Sequence, residues 1–176
     1  SLKELKENPH GIDYGPLKTV FPKRIRTVEG KIKLVPEIFQ KDLERLKSKD
    51  FVQNGHLLLI GRRHLRSNNS WMHNSQRLVK GGNRCTLLMH PNDAAKHQLE
   101  NGQNATVKSR IGQVSIPVEI TEHIMEGVVS IPHGWGHHRK DMKMEVAEAH
   151  AGVSVNDLTD ELFVDELTGN AAVNGV

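Results

Sequence analysis

The chain has 176 residues, with 24 Lys and Arg against 21 Asp and Glu, and its formal net charge is +3. This small excess suits an anionic ligand but does not require nucleic acid. The single cysteine excludes an internal disulfide and any site built from several thiolates. No apolar run reaches the roughly 18 residues of a membrane-spanning helix, and no signal-peptide pattern opens the chain. We therefore expect a cytoplasmic protein without a membrane partner.

Residues 1–55 are interrupted by Gly and Pro too often for a long regular element. Alternation over residues 24–35, on either side of Glu29-Gly30, predicts a short hairpin. Pro36 then opens a predicted helix, because apolar residues follow it at helical spacing. Those residues are Ile38, Phe39, Leu43 and Leu46. We interpret residues 1–55 as an arm that packs on a partner.

Residues 56–176 are predicted to form a separate domain, rich in β-strands. Its clearest feature is a hairpin over residues 105–121, because apolar and polar residues alternate strictly in its second strand. Gly112 is expected at the turn, where a β-branched residue would clash if the φ is positive. Many short strands with few helices favour a closed β-barrel. The remaining elements predicted are strands at 57–60, 85–89 and 128–131, a helix from His90 to Asn101-Gly102, a short polar helix at 157–163 and a turn at Gly169-Asn170.

A polar cluster directly follows the first strand of this domain. Its three guanidinium groups suit phosphate oxygens, with Arg62 and Arg63 expected to face them. Its Ser and Asn side chains could read the edge of a heterocycle, and its Trp could stack on one. The alternative is a solvated basic loop. The cluster consists of Gly61, Arg62, Arg63, His64, Leu65, Arg66, Ser67, Asn68, Asn69, Ser70 and Trp71.

A second cluster, residues 132–138, contains His133, Gly134, Trp135, His137 and His138. Three histidines in six residues suggest a metal site. However, adjacent histidines project to different sides of an extended chain, and the nearest carboxylate follows only at residue 141. A loop that shapes a ligand pocket is the favoured interpretation.

Two further candidates have ordinary structural explanations. Asn156 or Asp157 can cap the short helix that follows. Cys85 lies in an apolar strand, so it is predicted to be a core residue rather than a nucleophile.

Several segments in this order resemble one known module. It is the C-terminal dinucleotide-binding domain of the dimethyl-sulfoxide-reductase family of molybdopterin oxidoreductases. Residues 1–55 also resemble the segment that precedes this module in a formate-dehydrogenase-like subgroup. The matching segments are Leu88–Ala95, Leu99–Gly102, Val107–Gly112, Gly127–Val129 with the Pro-His-Gly-Trp-Gly loop, Asn156–Thr159 and Gly169–Ala172.

This resemblance implies a six-stranded double-psi β-barrel of the aspartate-decarboxylase-like type. In the family this domain folds over the bis(molybdopterin guanine dinucleotide) cofactor. The resemblance implies that residues 61–70 contact the cofactor, that the loop of His133, Gly134 and Trp135 lies near it, and that Asn156 touches it. The family often has a Lys where this chain has Asn174, so an amide contact replaces a charge there.

The resemblance also implies partners. Other domains of the same polypeptide would hold the molybdenum or tungsten, and this chain would not catalyse alone. The chain starts at Ser1 and stops at Asn174-Gly175-Val176, and we expect it to be a piece of a larger enzyme.

Three alternatives stay open at this point. A nucleic-acid-binding barrel would use a basic phosphate track, although no aromatic residue interleaves with the basic loop apart from Trp71. A metal-dependent enzyme would use His133, His137 and His138. The third alternative is a structural domain that serves as an assembly surface. The track would consist of Arg62, Arg63, Arg66, Lys80 and Arg84.

Overall fold

The computed structural model describes residues 1–48 and 55–171. The chain divides into two compact units, Ser1–Glu44 and Arg45–Val176. This division precedes the predicted boundary at residue 55 and lies inside a helix. None of the described helices is both long enough and apolar enough to cross a membrane.

The first unit contains no buried side chain. Helix α1 (Leu2–Glu7) begins with a capping box between Ser1 and Glu4. Helix α2 (Glu37–Ser48) confirms the helix predicted after Pro36, and it continues past the end of this unit.

The hairpin predicted for residues 24–35 is wrong, since this segment contains no strand. It holds only a turn, in which the Gly30 amide donates to the Thr27 carbonyl (3.0 Å) and Thr27 Oγ1 to the Lys31 carbonyl (2.6 Å). The physical reason is that an isolated two-stranded hairpin is only marginally stable in water, and no buried face stabilises the alternating residues here.

The second unit is mainly β, as predicted. Its five strands form one open sheet in the order β1-β5-β2-β4-β3. Two parallel pairs, β1 with β5 and β2 with β4, are joined by the antiparallel pair β2 and β5. The strands are β1 (Leu58–Arg62), β2 (Leu87–Met89), β3 (Asn104–Lys108), β4 (Gln113–Ile120) and β5 (Val128–Pro132).

The predicted hairpin is confirmed as the antiparallel pair β3 and β4. The alternation in β4 produces its burial: Val114, Ile116 and Val118 are buried, while Gln113 and Ser115 are exposed. These side chains join the apolar core, which also contains Leu59, Leu87, Met89, Val129, Ile131, Trp135 and Leu158. The six-stranded barrel is not confirmed, because the described residues supply five strands in an open sheet.

Short helices occupy the connections. Helix α4 (Pro91–Lys96) begins where predicted, and the His90 ring accepts a hydrogen bond from the Asn92 amide. The helix ends at Lys96, before the stop predicted at Asn101-Gly102. The polar helix predicted at 157–163 is replaced by a 3-10 helix and turns, because the Asp160 carboxylate accepts the Leu162 amide in place of a helical carbonyl. The remaining elements are α3 (Gln76–Val79), α4 (Pro91–Lys96), α5 (Glu145–Ala149) and the 3-10 helix Val155–Asp157.

An ion pair fastens the tail to the β3–β4 turn. Arg110 donates to both carboxylate oxygens of Asp160, at 2.5 Å and 2.7 Å. These hydrogen bonds lower the pKa of Asp160 to about 2, so the carboxylate is charged at neutral pH.

Gly112 lies in the turn, as predicted, but for a different reason. Its φ is not positive; instead, a Cβ placed there would lie 2.6 Å from the Asp157 carbonyl oxygen. A side chain at this position would therefore separate the turn from the 3-10 helix.

We expect Gly112→Ala to destabilise the chain by about 1–3 kcal/mol, because the added carbon collides with backbone that cannot rotate away. Gly82→Ala is the matched control, since its Cβ meets nothing within 4 Å and its φ is not left-handed. Urea denaturation measures both variants. Equal midpoints for the two variants would contradict the close contact.

Candidate functional site

A cavity of about 730 Å³ opens beside the end of β1. One wall is the segment that follows β1, and the other is the loop of residues 80–84 between α3 and β2. Four of its lining side chains are cationic and only Glu119 is acidic, so the cavity favours an anion. The lining residues are Arg62, His64, Arg66, Lys80, Gly81, Gly82, Asn83, Arg84, Leu88 and Glu119.

Arg62 is engaged inside the domain. Its guanidinium donates to the Ser130 carbonyl (2.5 Å), the Thr86 carbonyl (2.7 Å) and Thr86 Oγ1 (2.9 Å). Thr86 Oγ1 in turn donates to the Glu119 carboxylate at 2.6 Å. Burial lowers the pKa of Arg62, and Glu119 partly opposes this effect. Arg62 thus connects the strands that form the floor of the cavity.

The other cations of the cavity differ in how much of their hydrogen-bonding capacity is used. Arg84 donates to the Leu78 carbonyl at 2.7 Å. Arg66 and Lys80 are exposed, and neither side chain makes a hydrogen bond or ion pair with the described part of the chain. These two side chains are the ones available to an incoming anion.

His64 adds an unpartnered donor. Arg62 Nε donates to His64 Nε2 at 3.4 Å, which leaves the proton of the neutral ring on Nδ1. Within the described residues, that buried Nδ1 has no hydrogen-bond partner. Burial first, and then Arg62 and Arg84, lower the pKa of His64, so the ring is neutral at neutral pH.

The two clusters predicted from the sequence meet at Gly134. A Cβ at Gly134 would lie 1.8 Å from the Asn69 carbonyl oxygen, and the φ of Gly134 is +93°. Only glycine permits this approach. The segment after β1 and the Pro-His-Gly-Trp loop are therefore in direct backbone contact.

A buried polar chain lies beneath this contact. Ser67 Oγ is 2.8 Å from His73 Nε2, and His73 Nδ1 is 2.7 Å from His137 Nε2. The His73 ring also stacks on Trp135, with ring centroids 4.1 Å apart. Burial and the neighbouring His137 and Arg84 lower the pKa of His73 to about 4. Burial lowers the pKa of His137 as well.

A smaller cavity of about 300 Å³ lies on the other side of residues 81–84. Its remaining wall comes from Val79, Trp135 and residues 149–152. The Trp135 Nε1 donor is buried and has no partner within the described ranges. The loop at 81–84 therefore contributes to two adjacent cavities.

Comparison with known proteins identifies the kind of ligand. A family model described as "Molydopterin dinucleotide binding domain" matches residues 57–176. The chain belongs to this family of molybdopterin dinucleotide-binding domains. It is thus the C-terminal module of the dimethyl-sulfoxide-reductase family of molybdopterin oxidoreductases.

One similar solved structure is acetylene hydratase from Pelobacter acetylenicus. The match has 20% sequence identity and a TM-score of 0.57, and it covers 81% of this chain and 19% of that enzyme. This likeness concerns the fold, and the chain spans about a fifth of the length of the enzyme it matches. A comparison with the curated proteins found no match.

The residues present fit the cofactor that the family binds. A dinucleotide carries a pyrophosphate, which needs cationic or N–H donors. The molybdopterin-binding domain places Arg66 and Lys80, which have no partner among the described residues, around one cavity that His64 also lines. Its donors therefore match the ligand's acceptors.

The structure separates the predicted site residues into groups. Arg62, His64 and Arg66 line the larger cavity, and Trp135 lines the smaller one. Ser67 is buried in the polar chain described above. The exposed members that line neither cavity are Gly61, Arg63, Leu65, Asn68, Asn69, Trp71 and Asn156, and the half-buried members are Ser70, His133 and Gly134.

Two sequence expectations need correction. The loop was expected to start at Gly61, but β1 continues through Arg62, because this strand pairs with β5 as far as Pro132. As a result, Arg62 bonds to carbonyl groups of the neighbouring chain segments, whereas the sequence predicts that its guanidinium faces phosphates. Asn174 lies outside the described residues.

Sequence reasoning missed the loop at 80–84, which lines the larger cavity of the candidate site. From the sequence alone, Lys80 and Arg84 are assigned only to the phosphate track of the nucleic-acid alternative. The sequence signal was present: two glycines between cationic residues allow backbone to approach an anion closely. The pairing of His73 with His137 has no local signal, since 64 positions separate the two residues.

The described side chains do not favour metal binding or a reactive thiol at this site. In residues 1–48 and 55–171, no three His, Cys, Asp or Glu side chains are grouped to hold a metal ion. Cys85 is buried, and its sulfur accepts the Val153 amide at 3.3 Å. Burial raises the pKa of this thiol, so it is protonated at neutral pH.

We expect Arg62→Ala to destabilise the domain by about 2–3 kcal/mol, because hydrogen bonds to a charged group contribute more than neutral ones. Arg63→Ala is the matched control; this exposed side chain bonds only to its neighbour Asn69, and its loss should cost less than about 0.5 kcal/mol. Urea denaturation distinguishes them. A stable Arg62→Ala variant would show that the three bonds do not hold the sheet.

Proposed function

We propose that this chain binds the cofactor of a larger molybdopterin-dependent oxidoreductase, with the pyrophosphate of the guanine dinucleotide in the 730 Å³ cavity. The observation that carries the proposal is that two cations, Arg66 and Lys80, line this cavity from separate chain segments and make no hydrogen bond or ion pair with the described residues.

The charge balance of the cavity supports an anion with more than one charge. Glu119 is the acidic side chain in the lining, and its carboxylate already accepts from Thr86. Arg62 is close to Glu119 and offsets its charge. The charges of Arg66, Lys80 and Arg84 remain for the ligand, which suits the two charges of a pyrophosphate diester.

The neutral groups of the cavity suit a heterocycle. The Asn83 side-chain oxygen already accepts the Cys85 amide at 2.9 Å, so its two N–H groups are what it offers to acceptors on the edge of a guanine or pterin. Gly81 and Gly82 place backbone next to it without obstructing side chains. These groups would orient the cofactor while the cations hold its phosphates.

The role of this domain is binding and positioning. When bound, the cofactor supplies metal-centred redox chemistry through a molybdenum or tungsten held by other domains. The residues described here hold its phosphates, read its heterocycle and exclude water. The isolated chain is therefore inactive in this proposal.

We extend the proposal to the rest of the enzyme on the basis of sequence resemblance. The resemblance of residues 1–55 supports a formate-dehydrogenase-like enzyme. We place this enzyme in the cytoplasm and propose that it carries bis(molybdopterin guanine dinucleotide). The bridge between Val164 and Ala171 marks the pair of chain segments from which the sixth strand of a double-psi barrel would come. Asn174 and Asn156 would contact the cofactor from the tail.

The proposal predicts that Arg66→Ala/Lys80→Ala binds GDP-mannose at least about a hundredfold more weakly than the unmodified chain. GDP-mannose is a suitable probe because it carries a guanine and a pyrophosphate diester. Each lost charge-assisted hydrogen bond costs about 1.5–3 kcal/mol. NMR titration of the full chain measures the affinity.

The control is Arg77→Ala/Lys108→Ala, which removes two exposed cationic groups outside the cavity. This control should bind GDP-mannose as the unmodified chain does. Equal weakening by both double variants would indicate unspecific attraction to a basic surface. Tighter binding of single-stranded RNA than of GDP-mannose would favour the nucleic-acid alternative.

A further inference from the structure

The buried polar chain of Ser67, His73 and His137, which we call the latch, joins the two segments that form the candidate site. Ser67 and His73 belong to the segment that carries His64 and Arg66, and His137 follows the Pro-His-Gly-Trp loop. His73 is 0% exposed, Ser67 2% and His137 4%. Water cannot replace these contacts when they break, so their hydrogen bonds decide whether the two segments stay together.

The latch accommodates one proton at each contact. With both rings neutral, each short contact has one donor and one acceptor, whichever tautomer His73 adopts. If both rings were protonated, two N–H groups would face each other across the 2.7 Å between His73 Nδ1 and His137 Nε2. That arrangement is repulsive, and the segments would have to separate. A single proton on His73 leaves each contact with a donor and an acceptor, so burial of the charge, rather than a lost hydrogen bond, opposes the first protonation.

The surroundings of the latch oppose added charge from several sides. His64 and Arg84 face His73 from its own segment and from the loop at 80–84, and His138 acts on His137 from the next position. The stacked Trp135 ring excludes solvent on one side of His73. A backbone hydrogen bond with Gly134 is the contribution that favours a charged His73.

We propose that His73 and His137 are positioning residues whose neutral, hydrogen-bonded state holds the segment after β1 against the Pro-His-Gly-Trp loop, and that their protonation releases this contact and loosens the cofactor site. This inference rests on the proposed function for its consequence at the cofactor, but the latch itself can be tested without any ligand.

The direction of the pH effect follows from the ring pKa. The folded-state pKa of His73 is about 4, below the ordinary value of 6.5. The opened state therefore binds more protons than the closed state between these two values, and closure weakens as the pH falls through this window. One proton taken up on opening changes the equilibrium about tenfold for each pH unit.

Hydrogen exchange and NMR of the full chain test the latch directly. We expect the His73 ring to stay neutral down to about pH 5. Protection factors, corrected for intrinsic exchange, should fall together in residues 67–73 and 133–138, by up to about tenfold per pH unit below about pH 6. A His73 ring that titrates at its ordinary pKa while both segments stay protected would overturn the proposal.

Variants separate a protonation effect from simple packing. His73→Gln keeps polar groups but cannot titrate at this position, so the two segments should stay protected at neutral pH and show a weaker shared pH dependence, because His137 can still take up a proton. His73→Ala should lose protection at all pH values. The matched control is His123→Gln, an exposed histidine outside both segments that should keep the dependence of the unmodified chain. If both His73 variants fail to fold, the titration of the unmodified His73 ring decides the question.

Tryptophan fluorescence provides an independent reading, because the chain has only two tryptophans. In Trp71→Phe, emission comes from Trp135, whose ring stacks on His73. The emission should change at the pH at which the His73 ring titrates. An unchanged emission through that titration would contradict the stacking and the latch.

A last experiment distinguishes failure of the latch from failure of the proposed function. GDP-mannose affinity is measured near neutral pH and at about pH 5, where its diester charge is constant. The latch predicts weaker binding at the lower pH in the unmodified chain, and a smaller pH effect in His73→Gln. No binding at either pH would reject the cofactor site but not the latch, whereas an equal pH effect in both proteins would reject the coupling.

Discussion

The guanidinium of Arg62 organises the side of the sheet on which the candidate site lies. It donates to Ser130 in β5 and to Thr86 just before β2, and Thr86 continues the chain of hydrogen bonds to Glu119 in β4. Chain segments of four strands are thus connected through one half-buried cation and one carboxylate. Removing Arg62 would leave the Ser130 and Thr86 carbonyls without these donors, which makes this arrangement costly to alter.

Because Arg62 donates its hydrogen bonds within the sheet, the cations of the site divide into two kinds. Arg62 and, in part, Arg84 satisfy carbonyl groups of the protein. Arg66 and Lys80 line the same cavity from separate chain segments. A ligand at this site therefore meets charges carried by a framework that does not depend on the ligand for its stability.

The sequence predicted the elements whose signals are local. The alternation in β4 identified both the strand and its buried face, and the spacing after Pro36 identified α2. The same alternation failed at residues 24–35, because a pattern yields a strand only where another surface covers it. Tertiary burial, which no local window contains, decided between these two outcomes.

For the site, the residue types were predictable but their orientations were not. A run of Arg, Ser and Asn predicts a phosphate-binding segment. Arg62 and Arg66 are four positions apart, yet Arg62 donates hydrogen bonds within the sheet, whereas Arg66 lines the cavity. The difference arises because Arg62 still lies within β1 and pairs with β5. The contact of Gly134 with Asn69 and the pairing of His73 with His137 likewise join distant parts of the chain, so only the folded structure reveals them.

These constraints act together on one short segment. Arg62 fixes its beginning to the sheet, and the hydrogen bonds of Ser67 and His73 fix its end to the Pro-His-Gly-Trp loop. Arg66 lies between the two fixed points, so its backbone loses little freedom when a ligand binds, and the entropic cost of binding falls. Lys80 approaches from a separate loop. Opening the latch would therefore release the Arg66 wall of the cavity while Arg62 kept the sheet intact, which separates the affinity for the ligand from the stability of the fold.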